Sequence, residues 1–188
     1  MKKIFSLLLI SLILAAVIIG SGVYNIAATE KHWPVTEKLI EWMRISSVNA
    51  HVKSMEVPSL DSTDMDMIVT GATHYHAMCT GCHLAPGMKP TELSIGLYPQ
   101  APVFYQREAT IDPAKALEQM RAYFWVIKNG IKMTAMPAWG LSHDDATIWA
   151  MVAFISRMSG MTHEQYQELT HSTQGSVSGH DHHDHSHE

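Results

Sequence analysis

Apolar residues run almost unbroken from Ile4 to Gly20, interrupted only by Ser6 and Ser11 and preceded by Lys2 and Lys3. A helix that spans a bilayer takes about 17–25 such residues, whereas the apolar core of a cleavable signal takes about 7–15. The run has the longer length, and no A-x-A-like site follows it; the nearest small residues are Gly20, Gly22 and the pair Ala27-Ala28. Residues 1–28 are therefore expected to form a membrane anchor, or a signal that stays uncleaved. The two lysines belong on the cytoplasmic side. Everything after the anchor then lies outside the cytoplasmic membrane, in a periplasmic space.

Beyond the anchor the pattern changes to a helical one. Trp33 suits a membrane interface and Pro34 suits a first helical turn. Val35, Leu39, Trp42, Ile45 and Val52 then make an approximate stripe at helical spacing. Met55 to Ser62, with Pro58, reads as a linker, so residues 29–63 are a juxtamembrane helix plus linker.

Residues 64–160 carry the pattern of a compact unit. A helix is expected over Asp66–Met78. Between Leu84 and Arg107, Pro86, Gly87, Pro90, Gly96, Pro99 and Pro102 exclude long regular structure. Asp112 and Pro113 announce a second helix, an N-cap followed by proline at the first helical position. Leu117, Met120, Phe124 and Ile127 form its apolar stripe, and Gly130 ends it. A last helix is expected from Ser142, with Asp145 three residues on as a capping-box variant. Ile148, Met151, Val152, Ile155 and Met158 line one face, and Gly160 closes it. No alternating strand pattern of useful length occurs, so the fold class is all-α. Residues 161–188 read as a polar, His-rich tail.

Charge narrows the function classes. Charged residues are 16% of the chain and the formal net charge is −5, with no basic stripe, which excludes nucleic acid as a partner. The cysteines carry more information. There are two, and both stand in Cys79-Thr80-Gly81-Cys82-His83. C-x-x-C-H is the attachment pattern of haem c. Positions i, i+3 and i+4 share one face of a helical turn, so two thiols and an imidazole can address one flat ligand. Thioether bonds from Cys79 and Cys82 would pin the macrocycle, and His83 would be the proximal iron ligand. Three other readings of the same residues compete. A disulfide across so small a loop stabilises little, and a thioredoxin-like pair wants a βαβ surround. A zinc site needs four ligands, for which only His74 and His76 stand near.

With these residues in place the chain resembles class I cytochromes c, small helical single-electron carriers, over about Gly71 to Gly160. The Met loop and the anchor resemble membrane-bound bacterial monohaem cytochromes, including haem c domains attached to terminal oxidases. The resemblance implies that Gly71 and Tyr75 cross the last helix at close range, against Trp149 or Phe154. It implies Met136, before Pro137, as distal iron ligand, with Met133 in reserve. It also implies a proline carbonyl that receives the other ring N–H of His83, either Pro86 or Pro102, of which Pro102 sits closer to the family pattern.

The function expected on this basis is a tethered carrier with one covalent haem c, not an enzyme in itself. It would serve a membrane dehydrogenase or a terminal oxidase or reductase, free or as a fixed subunit. Two alternatives come from other classes. One is a haem-based sensor or catalyst with an exchangeable sixth ligand. The other is a divalent-metal handler using His180, His182, His183, His185 and His187, which alternate with carboxylates and suit zinc, copper or nickel.

Overall fold

The computed structural model describes residues 2–59 and 64–171. The chain divides into two units, residues 1–42 and 43–188. In the first, α1 (Lys2–Gly20) is one continuous helix with no buried residue. At 1.5 Å per residue it is about 28 Å long, close to the hydrocarbon thickness of a bilayer. It is the one helix among the described residues that is long and apolar enough to cross a membrane. After it, the Tyr24 hydroxyl lies 2.7 Å from His32 Nδ1, and the Tyr24 ring meets Trp33 edge-on at 4.9 Å.

Helix α2 (Pro34–Val52) begins on its proline, as the fixed φ of that residue favours. Of the expected apolar stripe only Val52 is buried. Val35, Leu39, Trp42 and Ile45 are exposed, and the buried residues are Val48 and Val52. Burial follows packing rather than periodicity here. Both buried residues lie in the last two turns, where the His51 ring lies 5.1 Å from that of Trp125.

The second unit is built on three helices. In α3 (Met65–Met78) the Asp64 side chain caps the Met67 N–H, and Ile68, Gly71, Ala72 and Tyr75 are buried at helical spacing. In α6 (Pro113–Asn129) Asp112 accepts from the N–H groups of Ala114 and Lys115, and Phe124 and Ile127 are buried. Of the stripe expected there, Leu117 is exposed. In α7 (Asp145–Arg157) the cap is Asp144, which accepts from Thr147 N–H, and not Ser142. Ser142 instead ends a short 3-10 turn, Trp139–Leu141.

Helix α7 is the centre of the core. Every residue from Ile148 to Ile155 is buried, because α3 covers one side and α6 another. Fully burying each of Ile148, Met151, Val152 and Phe154 contributes about 1.5–3 kcal/mol. Trp149 stacks on Phe124 at 4.2 Å and 15°, tying α7 to α6.

Two short helices lie in the loops, α4 (Thr80–His83) and α5 (Glu92–Gly96), the latter closed by a Thr91–Ser94 capping box. The segment read as a polar tail starts with a further helix, α8 (His163–His171), whose Tyr166 is buried. The described residues contain no strand. His180, His182, His183, His185 and His187 lie outside the described residues.

Candidate functional site

The pentapeptide sits at a break between helices. Helix α3 stops at Met78, Cys79 caps it through Tyr75 O, and Thr80–His83 make one separate turn. Cys82 N–H and His83 N–H both donate to Cys79 O, at 3.1 and 2.8 Å. Those two bonds bring positions 82 and 83 over position 79, as the spacing requires.

Both thiols are free and half-buried. Burial, with Cys82 adjacent, pushes the Cys79 thiol up to about 12. A redox-active cysteine needs the opposite shift, towards thiolate. His74 and His76 do not join the pair. His74 meets the His143 ring at 5.2 Å, and His76 Nδ1 lies 2.9 Å from the Tyr166 hydroxyl. Among the described residues, no three His, Cys, Asp or Glu side chains group as a metal site would need.

His83 is held on two sides. Its Nδ1–H donates to the Pro102 carbonyl at 2.9 Å, and its ring stacks on Phe104 at 4.8 Å and 17°. A carbonyl can only accept, so the proton is on Nδ1 and the Nε2 lone pair is left for another partner. Burial lowers the His83 pKa; the Pro102 bond opposes this and the Arg107 charge reinforces it. A neutral imidazole with a fixed tautomer is the metal-ligating form. The Pro86 carbonyl goes elsewhere, to His163 Nδ1 at 2.8 Å.

The loop carrying Met136 follows α6. Ile131 N–H donates to Met136 O at 3.1 Å, and Met136 N–H donates to Thr134 Oγ1 at 3.1 Å. Gly130, with φ +67°, has Met136 O and the Pro137 and Ala138 backbone where a Cβ would stand. Met136 is half-buried and, like Cys79, packs against the main core cluster. Met133 is 99% exposed at the loop tip.

Several contributors left little trace in the pattern. Phe104 was visible only as an apolar residue after Pro102. Thr91, whose hydroxyl donates to Gly81 O, and His163 carry no motif at all.

The donor set fits a covalently held haem. Two free, half-buried thiols and a histidine with its Nε2 left uncommitted by the Pro102 bond stand on one turn, and a half-buried thioether is available from a separate loop. Comparison with family models agrees, since residues 66–155 match the model described as cytochrome C oxidase, cbb3-type, subunit III. Neither a curated protein nor a solved structure matches the chain.

Proposed function

Because residues 66–155 form a class I-like monohaem cytochrome c domain, we propose that the chain is a membrane-tethered carrier of single electrons with His83 and Met136 as the axial iron ligands. Haem, when bound, supplies an iron that cycles between ferric and ferrous states. The residues do the rest. Cys79 and Cys82 hold the macrocycle through thioether bonds. The Pro102 carbonyl keeps His83 in one tautomer and, with Phe104, in one orientation. Met136 contributes a soft sulfur that favours the ferrous state and raises the potential over a bis-histidine site. Pro137 restricts Met136 to an extended backbone.

Helix α1 is the tether in this reading, with Lys2 and Lys3 inside and the haem domain in the periplasm. Diffusion in the membrane plane would keep the domain near its partners, a membrane dehydrogenase and a terminal oxidase or reductase. The observation that carries the proposal is the His83–Pro102 hydrogen bond beside two free, half-buried thiols on the same turn. It supports a haem iron on Nε2 better than a zinc or dithiol site.

The test is the mode of haem attachment. Haem should stay on the polypeptide through a denaturing gel, and Cys79→Ser or Cys82→Ser should impair attachment. The oxidised protein should show the weak near-infrared band of sulfur-to-iron charge transfer. Haem leaving intact into acidified solvent would sink the attachment. Absence of the band, with rapid carbon monoxide binding to the reduced protein, would favour the sensor or catalyst instead.

A further inference from the structure

Helix α8 begins after the stretch that matches the family model, yet it reaches the backbone immediately beyond His83. It is built as a true helix start. Thr162 N–H donates to Gln165 Oε1 at 2.9 Å and Gln165 N–H to Thr162 Oγ1 at 3.3 Å, a reciprocal capping box. Tyr166 is 4% exposed, its ring 6.2 Å from Phe154 and its hydroxyl on His76 Nδ1. This seats α8 on α3 and α7. His163, in the first turn, donates from Nδ1 to the Pro86 carbonyl at 2.8 Å.

The segment so held is strained. Leu84, the residue next to His83, has φ +58° and ψ 176°, a positive-φ region otherwise left to glycine that costs a side-chain-bearing residue about 1–3 kcal/mol. Such a conformation persists only when its surroundings over-determine it. Two bonds do so from different elements. The Tyr75 hydroxyl donates to the Leu84 carbonyl at 2.7 Å, and His163 holds the carbonyl of Pro86 two residues on. Gly87 follows at φ +81°, and a Cβ there would overlap the His163 ring. The absence of that Cβ is what lets the imidazole approach.

We propose that His163 is a positioning residue for His83. By holding Pro86 it keeps Leu84 at positive φ, and so sets the direction from which the His83 backbone presents its ring to the iron. The inference rests on His83 as axial ligand. Without the bond, Leu84 is held by Tyr75 alone, and the direction of the His83 backbone is less tightly set.

The experiment uses the haem-loaded full-length chain and compares His163→Ala, His163→Asn and Tyr166→Phe. An asparagine amide can donate from near the Nδ1 position, whereas Tyr166→Phe removes the His76 contact and leaves the Pro86 bond. His163→Ala should change the g-values of the oxidised haem and shift the reduction potential. The Met88 amide, which donates to Ala85 O at 2.9 Å in the same segment, should exchange at least tenfold faster. His163→Asn should restore most of each signal. Tyr166→Phe should lower the melting temperature while leaving g-values and potential as in wild type.

A lower melting temperature in His163→Ala with unchanged g-values and potential would overturn the proposal, leaving His163 a structural contact. Equal spectral shifts in Tyr166→Phe would do the same. A wild-type spectrum preserved in His83→Ala would instead show that the axial assignment itself fails, which separates the two ideas.

Discussion

Gly71 on α3 lies directly against the backbone carbonyl of Ala150 on α7, with no space for a Cβ between them and Phe154 Cβ close by. One residue type therefore decides how near the two principal helices approach. Tyr75, one turn later, uses that closeness to set its ring 5.5 Å from Phe154. Of the two aromatics considered for that contact, Phe154 makes it, while Trp149 faces α6.

Gly71→Ala should consequently be among the most destabilising small substitutions in the chain. The obstacle is backbone, which cannot rotate away as a side chain would, so the cost should reach the upper end of the roughly 1–3 kcal/mol typical of overpacking. Gly96→Ala is the control, since nothing lies within 4 Å of a Cβ there. Denaturant titration of both variants checks this; equal midpoints would contradict the close crossing.

The two methionines of the loop should behave in opposite ways. Met136→Ala should abolish the near-infrared band, lower the potential and open the iron to carbon monoxide. Met133→Ala should leave all three unchanged and cost little stability, because that side chain is exposed. Met133 also has φ +61°. Met133→Gly should thus gain about 0.5–1 kcal/mol, the relief of the left-handed conformation less the added freedom of the unfolded chain. Loss of the band in Met133→Ala, with retention in Met136→Ala, would reverse the ligand assignment.

Acid should weaken the start of α7. Hydrogen bonding to Thr147 holds the Asp144 carboxyl below the usual aspartate range, with His143 and His74 adding to the effect. A depressed folded pKa gives stability that is fully present above the unfolded value of about 3.9 and is lost as pH falls through the folded one. Asp144→Asn keeps a good cap without the charge. Its unfolding free energy should fall less steeply between pH 5 and pH 2 than that of the wild type, as followed by denaturant titration at each pH. Parallel curves would assign the acid sensitivity to other groups.

Membrane tethering is checked by fractionation. The full-length chain should stay with membranes after an alkaline carbonate wash, with a mature N-terminus at or near Met1. A chain starting after residue 22 in a soluble fraction would show a cleaved signal. Deleting residues 2–20 behind a cleavable signal should release a soluble domain with an unchanged haem spectrum.

Chemistry and helix placement were legible in the linear chain because their determinants are local. C-x-x-C-H needs only the i, i+3, i+4 geometry of one turn, and Asp112-Pro113 carries its own capping chemistry. The length of the apolar run alone marks α1 as a candidate span. What the tertiary structure decided depends on residues far apart in sequence. Pro86 and Pro102 are equivalent as carbonyl acceptors, and only the path of the chain places Pro102 at His83 and Pro86 at His163. Ser142 and Asp144 are both competent caps, and the 3-10 turn before α7 selects Asp144. The α2 stripe has the right period, but only packing reveals that Val48 and Val52 are the buried residues. Helix α8 has a polar composition in which one residue, Tyr166, does most of the burying. Periodicity reports a local tendency to fold, whereas burial and hydrogen-bond choice depend on which distant surface arrives, and that is a property of the assembled core.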